Sequence, residues 1–436
     1  MSYPVRIALI AALGGFLFGF ETVVISGAEK TLESLWHLDK LLHGFTVASS
    51  LIGTVVGSLI ASVPAQKYGR KRVLQIIATF FIVSAIGCAF VSAWGLFILF
   101  RVIGGLAVGA SSVIAPMYIS EIAPAHLRGR LAGSFQVNIV LGIMIAYFTN
   151  FLFKDFGVDA WRWMLGVMIV PAVLFWIFLR FIPESPRWLV LNGRDKEAIP
   201  IMGRLQEANV DAAILSIRES VKEHKENLYQ NRYSKPIVYA VLLAMFNQLS
   251  GINAILYYAP RIFEMAGFSK DDSFRQSVYV GAANLLCTLL AMTLIDKFGR
   301  KKLLIIGSLG MIVFLGLTAS AFGGGSAGSQ VVYYLIGFIA FFAFSQGAVI
   351  WVFISEIFPN SVRSQGGALG SFTHWIMAAI IALTFPLIVE GNPNGGFYSF
   401  IFYSVMMFIH LIFVWRFLPE TKGKSLEQIQ KDLGIS

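Results

Sequence analysis

The chain has 436 residues, of which 57% are apolar and only 13% charged, and its formal net charge is +10. A soluble domain carries about a quarter charged residues to clothe its surface, so composition excludes an ordinary globule and makes lipid the solvent of most side chains. The bases lie in short clusters between apolar runs, such as KYGRKR at 67–72 and KFGRKK at 297–302, a pattern that orients a membrane chain and argues against a nucleic-acid face.

A spanning helix needs roughly 20 mostly apolar residues. The first run, 5–28, exceeds the apolar core of a signal peptide and contains Glu21, so it reads as the first span. The first half continues with 45–65, 73–93, 95–120, 131–153 and 163–182; the second offers 236–260, 276–295, 303–323, 331–355, 364–388 and 398–417. Lipid admits only helices or closed barrels, and these runs are too long for barrel strands. The expected class is an all-α polytopic membrane protein, twelve transmembrane helices in two six-helix bundles. The domains predicted are 1–183, a cytoplasmic linker with short helices over 184–234, a second bundle over 235–418 and a tail over 419–436. Cys88 and Cys287 lie inside apolar runs without metal-ligand neighbours and read as small core residues.

Orientation follows from Lys and Arg in the short loops. Lys67, Arg70, Lys71 and Arg72 follow span two, Arg128 and Arg130 span four, and Lys297, Arg300, Lys301 and Lys302 span eight. After span one the bases Lys30 and Lys40 are balanced by Glu29, Glu33 and Asp39. The basic loops are therefore expected in the cytoplasm, with both termini. The linker is either a solvated charge run or a set of helices latching the bundles on the cytoplasmic side; one helical segment is expected over 212–224.

The sequence repeats itself. GRK at 69–71 returns at 299–301, SEIAP at 120–124 returns as SEIFP at 355–359, and PES at 183–185 returns as PET at 419–421. The copies are about 235 residues apart in each case, as in transporters with parallel halves related by an axis along the membrane normal.

These motifs, with PESPRW at 183–188, PETKG at 419–423 and QLSGINAILYYAP at 248–260, resemble the signatures of the sugar porter family of the major facilitator superfamily. The likeness runs over nearly the whole chain, and is nearest to bacterial xylose and glucose–proton symporters and facilitative glucose transporters. It implies a monosaccharide and a proton as partners, no cofactor, a monomer as sufficient unit, and residence in the inner (plasma) membrane.

Arg70, Glu121, Arg128 and Glu184, and in the second half Asp296, Arg300, Glu356, Arg363 and Glu420, form charge clusters beyond helix ends. The resemblance implies a cytoplasmic network that breaks as the inside opens. Gln66 stands where the second copy has Asp296, so the first copy is expected to be the weaker.

Ionisable residues within spans are costly and mark function. Glu21 and Arg101 are such a couple, and pairing is the economical arrangement. A guanidinium stabilises the ionised carboxylate, and separation from it in a dry site stabilises the protonated one. In proton-coupled relatives an aspartate holds the position of Glu21, so the resemblance implies proton coupling here.

A sugar needs amides that donate and accept at once, and aromatic faces. Gln136, Asn247, Gln248, Asn253, Tyr257, Asn284, Trp351, His374 and Trp375 supply these from spans five, seven, eight, ten and eleven. By resemblance, Gln136, Gln248, Asn253, Asn284 and Trp351 occupy sugar-contacting positions. Asn247 replaces a second glutamine, Ala348 a proline, and His374 a glutamine or asparagine, which leaves the sugar open. No phosphate-binding loop of the ATPase type occurs. Uncoupled sugar transport, polyol or cyclitol symport, and a non-transporting nutrient sensor are the alternatives; sensors of this kind carry a longer cytoplasmic tail.

Overall fold

The computed structural model describes residues 2–124, 127–205, 209–219, 226–325, 327–359, 361–389, 391–424 and 426–435, apart from the side chains of Arg128, Asp296, Leu426 and Glu427. All regular structure among them is helical. Twelve helices are long and apolar enough to cross a membrane: Tyr3–Gly27, Lys40–Ile60, Arg70–Phe90, Trp94–Ile122, Gly129–Phe153, Gly157–Phe178, Asn231–Tyr257, Lys270–Ile295, Arg300–Gly323, Gln330–Ile357, Arg363–Val389 and Gly395–Phe417. They are spans one to twelve in chain order. Large apolar side chains such as Phe90, Leu286, Leu290 and Phe408 are exposed, as a lipid-facing surface requires.

Local chemistry sets the helix ends. Span two begins at Lys40, earlier than hydropathy suggests, because Asp39 caps it: its Oδ1 accepts the Leu42 N–H at 2.8 Å, as an N-cap side chain does. Spans three and nine both start behind a glycine with positive φ, Gly69 at 94° and Gly299 at 88°, where a β-carbon would be strained. Span seven bends at Gly251, φ 82°, between the helices Ser234–Leu249 and Ile252–Tyr257; a short helix, Ala259–Met265, follows. Span ten breaks at Ser345, φ −110° and ψ −93°, without a proline.

The chain forms two compact units. One comprises Met1–Thr22, Ile52–Ile143 and Leu165–Lys225; the other comprises Val23–Leu51, Met144–Met164 and Glu226–Ser436. In the first unit the linker is more than a solvated charge run. Its helices Pro186–Leu191, Asp195–Arg204 and Val210–Glu219 share a small core of Trp188, Leu189, Val190, Ala198, Met202 and Ile214. The Trp188 indole N–H donates to the Gln66 carbonyl at 2.7 Å, which moors this core to the GRK turn. The segment expected over 212–224 appears as Val210–Glu219, and its last residues lie outside the described ones. In the second unit, one end of each of spans one, two, five and six packs with the second six spans.

Candidate functional site

The first unit holds the intramembrane ion pair. Glu21 and Arg101 are 3% and 1% exposed, and Arg101 Nη1 lies 2.5 Å from Glu21 Oε1. The same nitrogen lies 3.5 Å from the Glu21 carbonyl oxygen. The longer glutamate side chain thus reaches the guanidinium directly. Nε and Nη2 of Arg101, and Oγ of the nearby Ser84, are buried without a hydrogen-bond partner among the described residues. The guanidinium has donors to spare beside a single carboxylate, so the pair can be remade as well as made. Gln136 lies half-buried on span five of the same unit.

At one end of this unit the GRK turn meets two carboxylates. Arg70 binds Glu121 through two parallel bonds of 2.9 Å, the fork geometry that strengthens arginine–carboxylate pairs. The Glu184 carboxylate accepts the backbone N–H groups of Arg70 and Lys71 at 2.9 and 3.1 Å, satisfying donors that the helix start leaves open. The repeat in the second unit is geometric as well as sequential. Arg300 pairs with Glu356 at 2.9 Å, and Glu420 accepts the N–H groups of Arg300 and Lys301 at 3.0 and 3.1 Å.

Arg70 and Glu121 are both 8% exposed, and Arg300 and Glu356 are 13% and 24% exposed. Thr421 takes the other Glu356 oxygen at 2.6 Å. In the first copy the Gln66 carbonyl binds Trp188 and the carbonyl of its neighbour Ala65 accepts from Arg70 Nη1 at 3.0 Å. Arg363 is not brought onto Glu356 among the described residues; its Nε donates to the Phe358 carbonyl at 3.3 Å. The side chains of Arg128 and Asp296 lie outside the described residues.

The second unit holds the amides. Gln248 is buried and bonded at both ends of its amide: Oε1 accepts from Asn253 Nδ2 at 2.8 Å, and Nε2 donates to Asn247 Oδ1 at 3.0 Å. Nε2 also lies 3.1 Å from Nε2 of His374. The His374 ring stands between two indoles, with ring centroids 5.0 Å from Trp351 and 4.8 Å from Trp375. The bend at Gly251 makes this possible, because it turns Gln248 and Asn253, five residues apart, towards each other. Six of the predicted binding residues are therefore one group: Asn247, Gln248, Asn253, Trp351, His374 and Trp375. Tyr257 and Asn284 are buried in the same unit. An amide chain that satisfies itself can exchange those bonds for sugar hydroxyls at little net cost.

One cluster escapes a reading of the sequence. In the second unit Glu29, on the short helix Glu29–Leu35, is 1% exposed. Its carboxylate meets Arg261 Nε at 3.0 Å and His43 Nε2 at 2.7 Å. Arg261 also binds Glu33, and Lys30 binds Glu264. Burial by itself would push the Glu29 carboxyl up, but the Arg261 guanidinium and His43 outweigh burial and hold it below its ordinary range. The available signals were an arginine directly after YYAP and a histidine in the first turn of span two.

The family model "Sugar (and other) transporter" matches residues 7–433. The chain is 35% identical to the D-xylose-proton symporter of Escherichia coli (strain K12), over 98% of this chain and 95% of that protein. It is 37% identical to the arabinose-proton symporter of Bacillus subtilis (strain 168), over 99% of this chain and 95% of that protein. A solved structure of the E. coli xylose transporter XylE, partially occluded and inward open, superposes with a TM-score of 0.88, at 35% identity, covering 98% of this chain and all of that one. A family match over almost the full length, a shared fold of twelve spans and a repeated pair of charge clusters place the chain in the sugar (and other) transporter family, with the major facilitator fold.

Proposed function

We propose that the protein carries a monosaccharide and a proton together into the cell by alternating access. The observation that carries this reading is the buried Glu21–Arg101 pair, a carboxylate that a helix movement can join to or part from its only described cationic partner. The amide and indole group around Gln248 and His374 binds the sugar. Spans one to six and seven to twelve act as the two moving halves, 1–183 and 235–418, joined by 184–234. The GRK turns and both termini face the cytoplasm of a bacterial plasma membrane, which puts Glu29 and Arg261 at the outer end. A monomer suffices.

The relatives named for xylose and arabinose symport support a monosaccharide, while His374 and Asn247 set this site apart from the resemblance on which a particular sugar would rest. In liposomes with an imposed proton gradient, Glu21→Gln is expected to abolish uphill uptake of the preferred pentose or hexose and to keep counterflow exchange. A Glu21→Gln protein that still concentrates sugar, or a wild-type protein whose uptake ignores the gradient, would turn the assignment towards uncoupled transport.

A further inference from the structure

The described side chains of the cluster at the end opposite the GRK turns are short of one positive charge. Glu29, Glu33 and Arg261 leave one negative charge over, and Lys30 with Glu264 adds none. His43 sits inside it at 0% exposure. Its Nε2 is 2.7 Å from Glu29 Oε2, and its Nδ1 is 3.8 Å from Glu33 Oε2. A neutral imidazole carries a hydrogen on one nitrogen and a lone pair on the other, so its lone pair would face either Glu29 at hydrogen-bond distance or the Glu33 carboxylate at 3.8 Å. An imidazolium donates to Glu29, turns its second N–H towards Glu33, and offsets the surplus negative charge of the described cluster, whose innermost members Glu29 and His43 are buried.

Aromatic and backbone groups complete the described setting. The Tyr258 ring stands perpendicular to His43, centroids 6.0 Å apart, and its hydroxyl donates to the Ala382 carbonyl at 2.9 Å. Span two is pressed close here: a β-carbon on Gly44 would lie 2.3 Å from the Leu383 carbonyl oxygen of span eleven. A cavity of about 860 Å³ is bordered by Lys30, Arg261, Glu264 and Asn392. The cluster therefore ties the ends of spans one and two to the helix Ala259–Met265.

We propose that His43 is a second proton-binding site, separate from Glu21, which takes up one proton from water as this end of the protein closes and releases it as the end opens. Once Glu29 and Glu33 move away, the imidazole loses the carboxylates that hold its second hydrogen, and that proton returns to water. Acid on this side then favours the closed form. This end is the outer one in the orientation proposed above, on which the proton site does not depend.

The test is double electron–electron resonance on full-length protein in nanodiscs, with spin labels on cysteines introduced at the exposed Leu41 and Lys270 and Cys88 and Cys287 changed to alanine. Glu21→Gln is included in every sample to silence the coupling site, so a failed coupling assignment leaves this experiment unaffected. Between pH 8.5 and 5.5, above the ordinary carboxylate range, the ratio of short to long distances should rise, by up to about tenfold per pH unit for one linked proton. Adding His43→Gln should flatten the response, and adding Glu33→Gln should move its midpoint to lower pH. An unchanged response in His43→Gln, or a flat one with His43 present, overturns the proposal. If His43→Gln does not yield folded protein, an unmoved midpoint in Glu33→Gln overturns it instead.

Discussion

A β-carbon built on Gly69 would lie 2.2 Å from Oε2 of Glu184. The glycine and the carboxylate therefore fit only as a couple: the turn needs φ of 94°, and the carboxylate uses the vacated space to cap span three. Gly69→Ala should cost about 2–3 kcal/mol, from backbone strain of roughly 1–2 kcal/mol and from displacing the capping carboxylate. A drop in melting temperature of detergent-purified protein would show it. Gly129→Ala is the control, since a β-carbon there meets nothing within 4 Å. Equal melting temperatures for the two variants would contradict the account.

Gln248 is the hub of the amide chain. Its removal takes a partner from Asn253, Asn247 and His374 at once. Unpaired buried amides cost about 1–3 kcal/mol, so Gln248→Ala should weaken sugar binding by roughly ten- to a hundredfold. His374→Gln restores the amide that the family resemblance leads one to expect, and should change the order of preference among sugars more than the tightest affinity. Binding isotherms for a panel of pentoses and hexoses check both; a Gln248→Ala protein with wild-type affinities would remove Gln248 from the site.

The spans were legible because long apolar runs have one physical solution in lipid. The Glu21–Arg101 pair was legible for a related reason: two lone charges in hydrocarbon must meet, and the fold brings them to 2.5 Å. The GRK turns were legible through repetition, since Glu184 and Glu420 recur at the same place relative to Arg70 and Arg300. That Trp188 would hold Gln66 by its carbonyl was not, because it depends on a tertiary contact with no periodicity. The Glu29 cluster was hidden because its loop charges look like solvated ones, and the partner Arg261 lies 232 residues away. His374 appeared as a substitution; only the structure shows it bonded to Gln248 and flanked by two indoles.

Arg261 decides the charge state of Glu29. Burial pushes that carboxyl up, and Arg261 with His43 more than cancels the push and leaves it lowered. A lowered folded-state value means that the stabilisation is present above the ordinary carboxylate value and is lost as pH falls through the folded one. In Arg261→Met the push of burial is left weakly opposed, so the sign reverses: the folded protein is penalised at neutral pH and relieved on acidification as Glu29 takes a proton. Breaking a buried pair costs about 3–5 kcal/mol. The melting-temperature deficit of Arg261→Met relative to wild type should therefore be large at pH 7.5 and shrink towards pH 5. A deficit that is constant or grows in acid would refute this balance.

Span ten bends without the proline that the family resemblance leads one to expect, and its geometry says that a proline would be accepted. Ser345 precedes the helix Gln346–Ile357, and Val349 makes the first backbone bond back across the break, to the Ser345 carbonyl at 2.8 Å. Ala348 is the third residue of that helix, where an N–H has no intrahelical acceptor, so a proline removes nothing that is bonded. The preceding Gly347 has no β-carbon to clash with the ring. Ala348→Pro should change stability by less than about 1 kcal/mol and leave transport intact. Ile350→Pro, two residues further and inside the hydrogen-bonded helix, should cost about 3 kcal/mol or more. Paired thermal unfolding and uptake measurements decide the point: if both prolines are equally damaging, the bend is held by side-chain packing rather than by the open backbone at Ser345.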